Sequence, residues 1–208
     1  MLCKKYINDF ISKKVTIKEN TNTFDFGEKF DSSANYLIIR PSNYKTFDYD
    51  KITHKNAFLY IPSFLRNSDI LVLNKVLDKY KNLGVFAENI GALNYNRKTI
   101  FGGKLNLKNI FSIKEIINEN VVAIFASPEI SDENFEILKQ YFNVDFFKSD
   151  FKKFDLMTFV HCPIKTLFKN TCKDCKFAQD IIYEMEDGNK FKLNRNVIAN
   201  CYFFLQKI

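Results

Sequence analysis

The chain has 208 residues, 46% of them hydrophobic and 26% charged, a composition that excludes intrinsic disorder and suits one ordinary domain or part of a larger α/β barrel. The formal net charge of +7 favours anionic partners, RNA among them, although the lysines are spread along the chain as an ordinary solvated surface would have them. No apolar run is long enough to span a membrane, and no signal-peptide stretch follows Met1-Leu2-Cys3-Lys4-Lys5-Tyr6, so the chain reads as a cytoplasmic protein.

The abundance of Phe (23) and Tyr (10) beside only 6 Gly and no Trp points to an AT-rich coding bias, so aromatic content by itself says little about function. In chain order, residues 1–35 are ambiguous: a short helix near Tyr6 to Ile11, then a strand at Val15 to Lys18. From residue 36 onward, β-rich runs alternate with helical stretches. Tyr36 to Arg40 and Ala57 to Ile61 are compact apolar strands closed by Pro41 and Pro62. A helix capped by Asn67 or Ser68 follows, with Ile70, Leu71, Leu73, Val76, Leu77 and Tyr80 at helical spacing, and Gly84 ends it. Val85 to Ile90 is the next strand. Thr99-Ile100-Phe101 then leads through Gly102-Gly103 to a helix over Ile110 to Glu119. Val121 to Ala126 is a buried strand, and Ser131 or Asp132 caps a helix carrying Phe135, Leu138 and Phe142. Val144 to Phe147 and Leu156 to Val160 are two further strands.

Continuous apolar strands separated by helices imply a parallel sheet covered by helices. The expected fold class is α/β, a partial TIM-like (β/α) barrel over 36–160 with five or six strands, short of the eight that close a barrel. The 161–208 segment is a cysteine-rich metal-binding region with a β-hairpin. Its strands, Ile181 to Met185 and Phe191 to Leu193, flank an Asp187-Gly188 turn expected to be type I′. Ala199 to Leu205 is a closing strand.

Four of the five cysteines lie in this last segment. Cys162 follows a predicted strand end, where α/β sheets place functional groups. Cys172-Lys173-Asp174-Cys175 is a Cys-x2-Cys pair whose turn lets two thiolates converge on one metal, and Cys201 lies on the last strand. Thiolates suit iron–sulfur clusters and zinc, and the spacing does not choose between them. Lys165, Lys169, Lys173 and Lys176 would favour thiolate over thiol. The plain alternatives are a redox pair, and buried small residues at Cys162 and Cys201. Cys3 is remote from the group and reads as incidental.

Leu156-Met157-Thr158-Phe159-Val160-His161-Cys162-Pro163, followed by Cys172-x2-Cys175 and then Asp187-Gly188-x2-Phe191, resembles the cysteine segment of the U32 peptidase family, the collagenase-like proteases. Phe86 to Leu93, Gly102 to Asn109 and Phe125 to Ile130 resemble three upstream strands of that family in the same order, so the likeness covers roughly residues 57 to 208. Asp155 and His161 stand where the classical signature has a glutamate and a glycine, and Gly103 where an aspartate is common. The resemblance implies a [4Fe–4S] cluster on Cys162, Cys172, Cys175 and Cys201, with zinc as the alternative. It also implies oxygen-independent hydroxylation or modification of RNA or a small anionic molecule. Alternatives are peptide hydrolysis under the family's older label, or a non-catalytic half-barrel whose open edges seek a second protein chain.

Hydrolysis lacks its usual signatures: there is no Gly-x-Ser-x-Gly or His-Glu-x-x-His, and the only histidines are His54 and His161. Glu88, Asn89, Asn106, Asn109, Ser127 and Glu129 at strand ends would form a polar ring at one barrel mouth, with His161 beside it. These residues read equally well as a substrate pocket or as helix caps. Arg40 and Arg66, also just past strands, would suit a carboxylate or phosphate.

Overall fold

Seven short strands pair in parallel and in chain order: β1 (Phe24–Gly27), β2 (Tyr36–Ile39), β3 (Ala57–Ile61), β4 (Gly84–Ala87), β5 (Thr99–Phe101), β6 (Val121–Ala126) and β7 (Asp145–Lys148). The computed structural model describes residues 22–149, 155–162, 165–166, 175 and 181–208. Helices α1 (Asn67–Lys79), α2 (Ile110–Ile116) and α3 (Asp132–Tyr141) supply three of the crossovers, and 3₁₀ turns such as Ile90–Tyr95 serve others. Cys3 and the elements expected before residue 22 lie outside the described residues.

Side chains alternate across a strand, and this alternation sorts the sheet into two cores. Leu37, Ile39, Leu59, Ile61, Val85, Ala87 and Ile124 face outward to Leu73 and Leu77 of α1, Ile113 of α2 and Leu138 of α3. Ile38, Phe58, Tyr60, Phe86, Ile100, Phe125 and Phe147 face inward and, with Phe24, Phe26 and Tyr36, fill the concave side of the curled sheet. The curl brings the two edge strands toward each other. Phe24 packs edge-on against Phe125 and Phe147, with ring centroids 4.7 and 5.2 Å apart, and Asn22 Nδ2 donates to Asp145 Oδ2 at 2.6 Å. The sheet has seven strands where the sequence pattern showed five or six; β1 escaped because Phe24-Asp25-Phe26-Gly27 has no continuous apolar run.

The strand at Leu156 to Val160 forms as β8 (Met157–Phe159), but it does not extend the parallel sheet. It joins a second, antiparallel sheet with β9 (Ile181–Glu184), β10 (Lys190–Val197) and β11 (Cys201–Lys207), in the order β8-β11-β10-β9. It pairs with β11 instead, Phe159 opposite Phe203 and Met157 opposite Leu205. The hairpin of β9 and β10 forms as expected, with Glu184 opposite Lys190. Its turn is not type I′. Gly188 has φ of +79° whereas Asp187 is not in the left-handed region, and the Gly188 N–H donates to the Met185 carbonyl at 2.9 Å, which is a type I turn followed by a glycine bulge.

Two attachments seat this second sheet on the first. Val197 N–H donates to the Ser42 carbonyl and Tyr44 N–H to the Val197 carbonyl, both at 2.8 Å, stitching β10 to the segment after β2. Asp69, in the first turn of α1, takes the backbone N–H groups of Arg66 at 3.0 Å, Ala199 at 2.8 Å and Asn200 at 2.9 Å, and the Tyr202 hydroxyl also donates to it. The helix therefore starts after Arg66, one residue earlier than the composition suggests, because Asp69 reaches back to cap it. These bonds hold the Asp69 carboxyl below its ordinary range despite burial, which acts the other way. Asp69→Ala strands one buried donor and three part-buried ones, and we expect a loss of roughly 3 kcal/mol in urea unfolding. Ser68→Ala, one residue away and at the surface, should change stability by less than about 1 kcal/mol.

Candidate functional site

The inward-facing rows end, at the C-terminal edge of the parallel sheet, in charged residues. Arg40 continues the row Tyr36-Ile38 just past β2, and Glu88 continues the row Gly84-Phe86 just past β4. Both are buried, at 9% and 3% exposure. Asp155, leading into β8, comes down between them. Arg40 Nη1 donates to Asp155 Oδ1 at 3.0 Å, Gln206 Nε2 donates to the same oxygen at 2.9 Å, and Lys104 Nζ lies 3.6 Å from Asp155 Oδ2. Arg40 Nε donates to Asn196 Oδ1 at 3.0 Å, and the guanidinium carbon lies 3.8 Å from the Phe204 ring centroid and 4.9 Å from that of Tyr60. Burial opposes charge on Arg40, but the Asp155 carboxylate beside it holds the guanidinium above its ordinary value.

Glu88 sits one contact further in. Its Oε2 accepts the Lys104 backbone N–H at 2.9 Å. Gly102 makes room for the carboxyl, since a Cβ there would come within 2.5 Å of Oε1. Burial pushes the Glu88 carboxyl up to about 7, partly offset by Lys104. This mouth is closed by the second sheet. Tyr202, Phe204 and Gln206 of β11 and Asn196 of β10 face the parallel sheet and make the contacts just described, and Lys104 Nζ reaches Thr158 of β8 at 2.9 Å.

The cysteines lie on the other side. Leu193, Phe203 and Leu205 form a small core on the outer face, and Cys162 and Cys201 both pack against it. Cys175 is exposed, and its Sγ accepts a hydrogen bond from Arg195 Nη1 at 3.0 Å, from the residue of β10 paired with Phe203. The three described thiols thus gather on one face, directed away from the barrel mouth. Their sulfur atoms are soft donors. Among the described residues, no three His, Cys, Asp or Glu side chains are close enough together to hold an ion, and Cys172 lies outside those residues.

Comparison with protein-family profiles, with curated proteins and with solved structures gives no match for this chain. The residues themselves therefore carry the functional argument.

The expected polar ring separates in three dimensions. Glu88 faces the mouth. Asn89, next in the alternation, turns outward, and its Nδ2 donates to the Pro62 carbonyl at 2.6 Å. Asn106 is exposed at φ +57°, ending the 3₁₀ turn Gly103–Leu105. Asn109 caps α2 through the Ser112 N–H at 3.0 Å. Ser127 is buried and accepts the Glu129 N–H, while the Glu129 carboxylate pairs with Lys108 at the surface. His161 is exposed, with Nε2 2.5 Å from Thr166 Oγ1. Arg66 stands at the start of α1. Asp155 and Lys104, which complete the buried cluster, were not legible as partners. The local signal is the parity of Arg40 and Glu88, each continuing an inward-facing row past its strand.

The elevated Glu88 carboxyl makes stability depend on pH. Its folded value lies above its unfolded one, so the folded protein binds the extra proton between about pH 4.5 and about pH 7 and loses stability as pH rises through that window. The contribution is on the order of 3 kcal/mol. In Glu88→Gln, the fall in stability across that window should be reduced by that amount, as measured by urea unfolding at several pH values.

Proposed function

We propose that Cys162, Cys172, Cys175 and Cys201 form a thiolate metal centre on the outer face of the antiparallel sheet, a [4Fe–4S] cluster with zinc as the alternative. On this reading the chain is a U32-like protein whose chemistry is oxygen-independent hydroxylation or modification of RNA or a small molecule, in place of peptide hydrolysis. The observation that carries it is the gathering of Cys162 and Cys201 on one apolar core, with Cys175 held by Arg195 opposite Phe203. Residues distant in sequence meet there, and buried small residues alone would not call for a guanidinium beside an exposed thiol.

A bound cluster would supply one-electron transfer. The protein's own contribution is to place Cys162 just past β8 and Cys201 at the start of β11 on one apolar core. Arg195 and the lysines around the Cys-x2-Cys pair would offset the negative charge that four bound thiolates bring. Phe203, Phe159 and Leu205 form the apolar bed beneath.

A second reading has its own observation. The C-terminal mouth of the parallel sheet, where such folds carry their chemistry, is covered by the chain's own second sheet, and its charges answer one another. That favours a non-catalytic protein built on a partial barrel. A second chain completing the barrel finds less support, because the edge strands β1 and β7 already touch through Phe24, Phe147 and Asn22.

Purification without oxygen, with iron, sulfide and zinc assays and a visible spectrum, separates these readings. We expect about four iron and four sulfide per chain and a broad brown absorption. Cys201→Ser should abolish it with the far-ultraviolet circular dichroism unchanged. Stoichiometric zinc without colour selects the zinc form. A metal-free protein overturns the centre and leaves the non-catalytic reading.

A further inference from the structure

Arg40 Nη2 is buried and, among the described residues, has no hydrogen-bond acceptor. A guanidinium N–H withdrawn from water without a partner is costly, so its surroundings call for an explanation. Arg40 lines a cavity of about 30 Å3 together with Glu88 and Asp155, with Phe26, Phe86 and Phe125 as apolar walls. That space suits one small solute. Arg40 also lines an open groove of about 540 Å3 with Gly27, Ser42, Asn194 and Gln206.

Charge decides what the solute is. Arg40 at the end of β2 and Lys104 after β5 bring two positive charges, Asp155 before β8 and Glu88 after β4 two negative ones, and Tyr60 of β3 stays neutral under burial. With Glu88 ionised the cluster is balanced. With Glu88 protonated, one positive charge is uncompensated in a poorly solvated place, where a lone charge is expensive. Water would satisfy the N–H, whereas only an anion restores the balance.

We propose that this cavity binds one small monovalent anion, of halide or formate size, on Arg40 Nη2, taken up together with a proton on Glu88. The site is independent of the cysteine face, from which the antiparallel sheet separates it.

Bromide is the probe, used with the purified full chain. Binding followed by thermal shift should be about tenfold tighter at about pH 6 than at about pH 8, since Glu88 titrates at about 7 and only its protonated fraction competes for the anion. Glu88→Gln, permanently neutral there, should bind bromide tightly and equally at both values. Crystals grown with bromide at the lower pH should show its anomalous peak beside Arg40 Nη2. Equal affinity at both pH values, a pH dependence that survives in Glu88→Gln, or a cavity holding water while bromide is present would each overturn the proposal. Should Glu88→Gln fail to fold, the anomalous map of the unaltered protein decides alone.

Discussion

The ion pair between Arg40 and Asp155 is the interaction on which the arrangement of the two sheets depends. It joins the end of β2 to the residue that leads into β8, with side-chain exposures of 8% and 3%. Taking two such charges out of water costs several kcal/mol each, and the pair is tolerable because neighbouring groups answer most of its polar atoms. Asn196 takes Arg40 Nε, Gln206 donates to Asp155, and the rings of Phe204 and Tyr60 cover the guanidinium. Every one of those helpers except Tyr60 comes from the antiparallel sheet. The pair therefore selects a single seating of that sheet, since any other would leave a buried charge alone.

That seating explains where chemistry can and cannot happen. With Tyr202, Phe204 and Gln206 pointing down into the mouth, the alternation of β11 sends Cys201, Phe203 and Leu205 to the outer face. The thiols and the strand-end charges are thus assigned to opposite faces of one sheet by a period of two residues. A substrate meeting the cysteines would not meet Glu88, so the two sites are to be understood separately. Asp69 repeats the logic at the other end of β11, where one carboxylate gathers donors from α1 and from the turn between β10 and β11.

Much of the fold was legible in the sequence. Strands over Tyr36–Ile39, Ala57–Ile61 and Val121–Ala126 and the helix over Asp132–Tyr141 carry strong apolar patterns and appear as read, while the helix Asn67–Lys79 appears with shifted ends. What escaped had a physical cause. β1 reads Phe-Asp-Phe-Gly, with no continuous apolar run to mark it. The strand Met157–Phe159 looks like its predecessors, and its antiparallel partner β11 lies far along the chain, where no local pattern points to it. The polar residues at strand ends were legible as a group but not as a site. Alternation admits Glu88 and turns Asn89 away, while Asn106 and Asn109 serve the backbone as turn and cap. The pairing of Arg40 with Asp155 joins residues far apart in sequence, and no local pattern encodes it.

The most direct measurement is a double-mutant cycle on that pair, with stability measured for the parent, Arg40→Ala, Asp155→Ala and the double variant. If the pair seats the second sheet, each single change leaves a buried charge uncompensated and costs roughly 3–5 kcal/mol, while the double change costs far less than their sum, a coupling of about 2 kcal/mol or more. Additivity within about 0.5 kcal/mol would contradict the account, because it would mean that the two charges do not depend on each other and that the sheets are held together by something else.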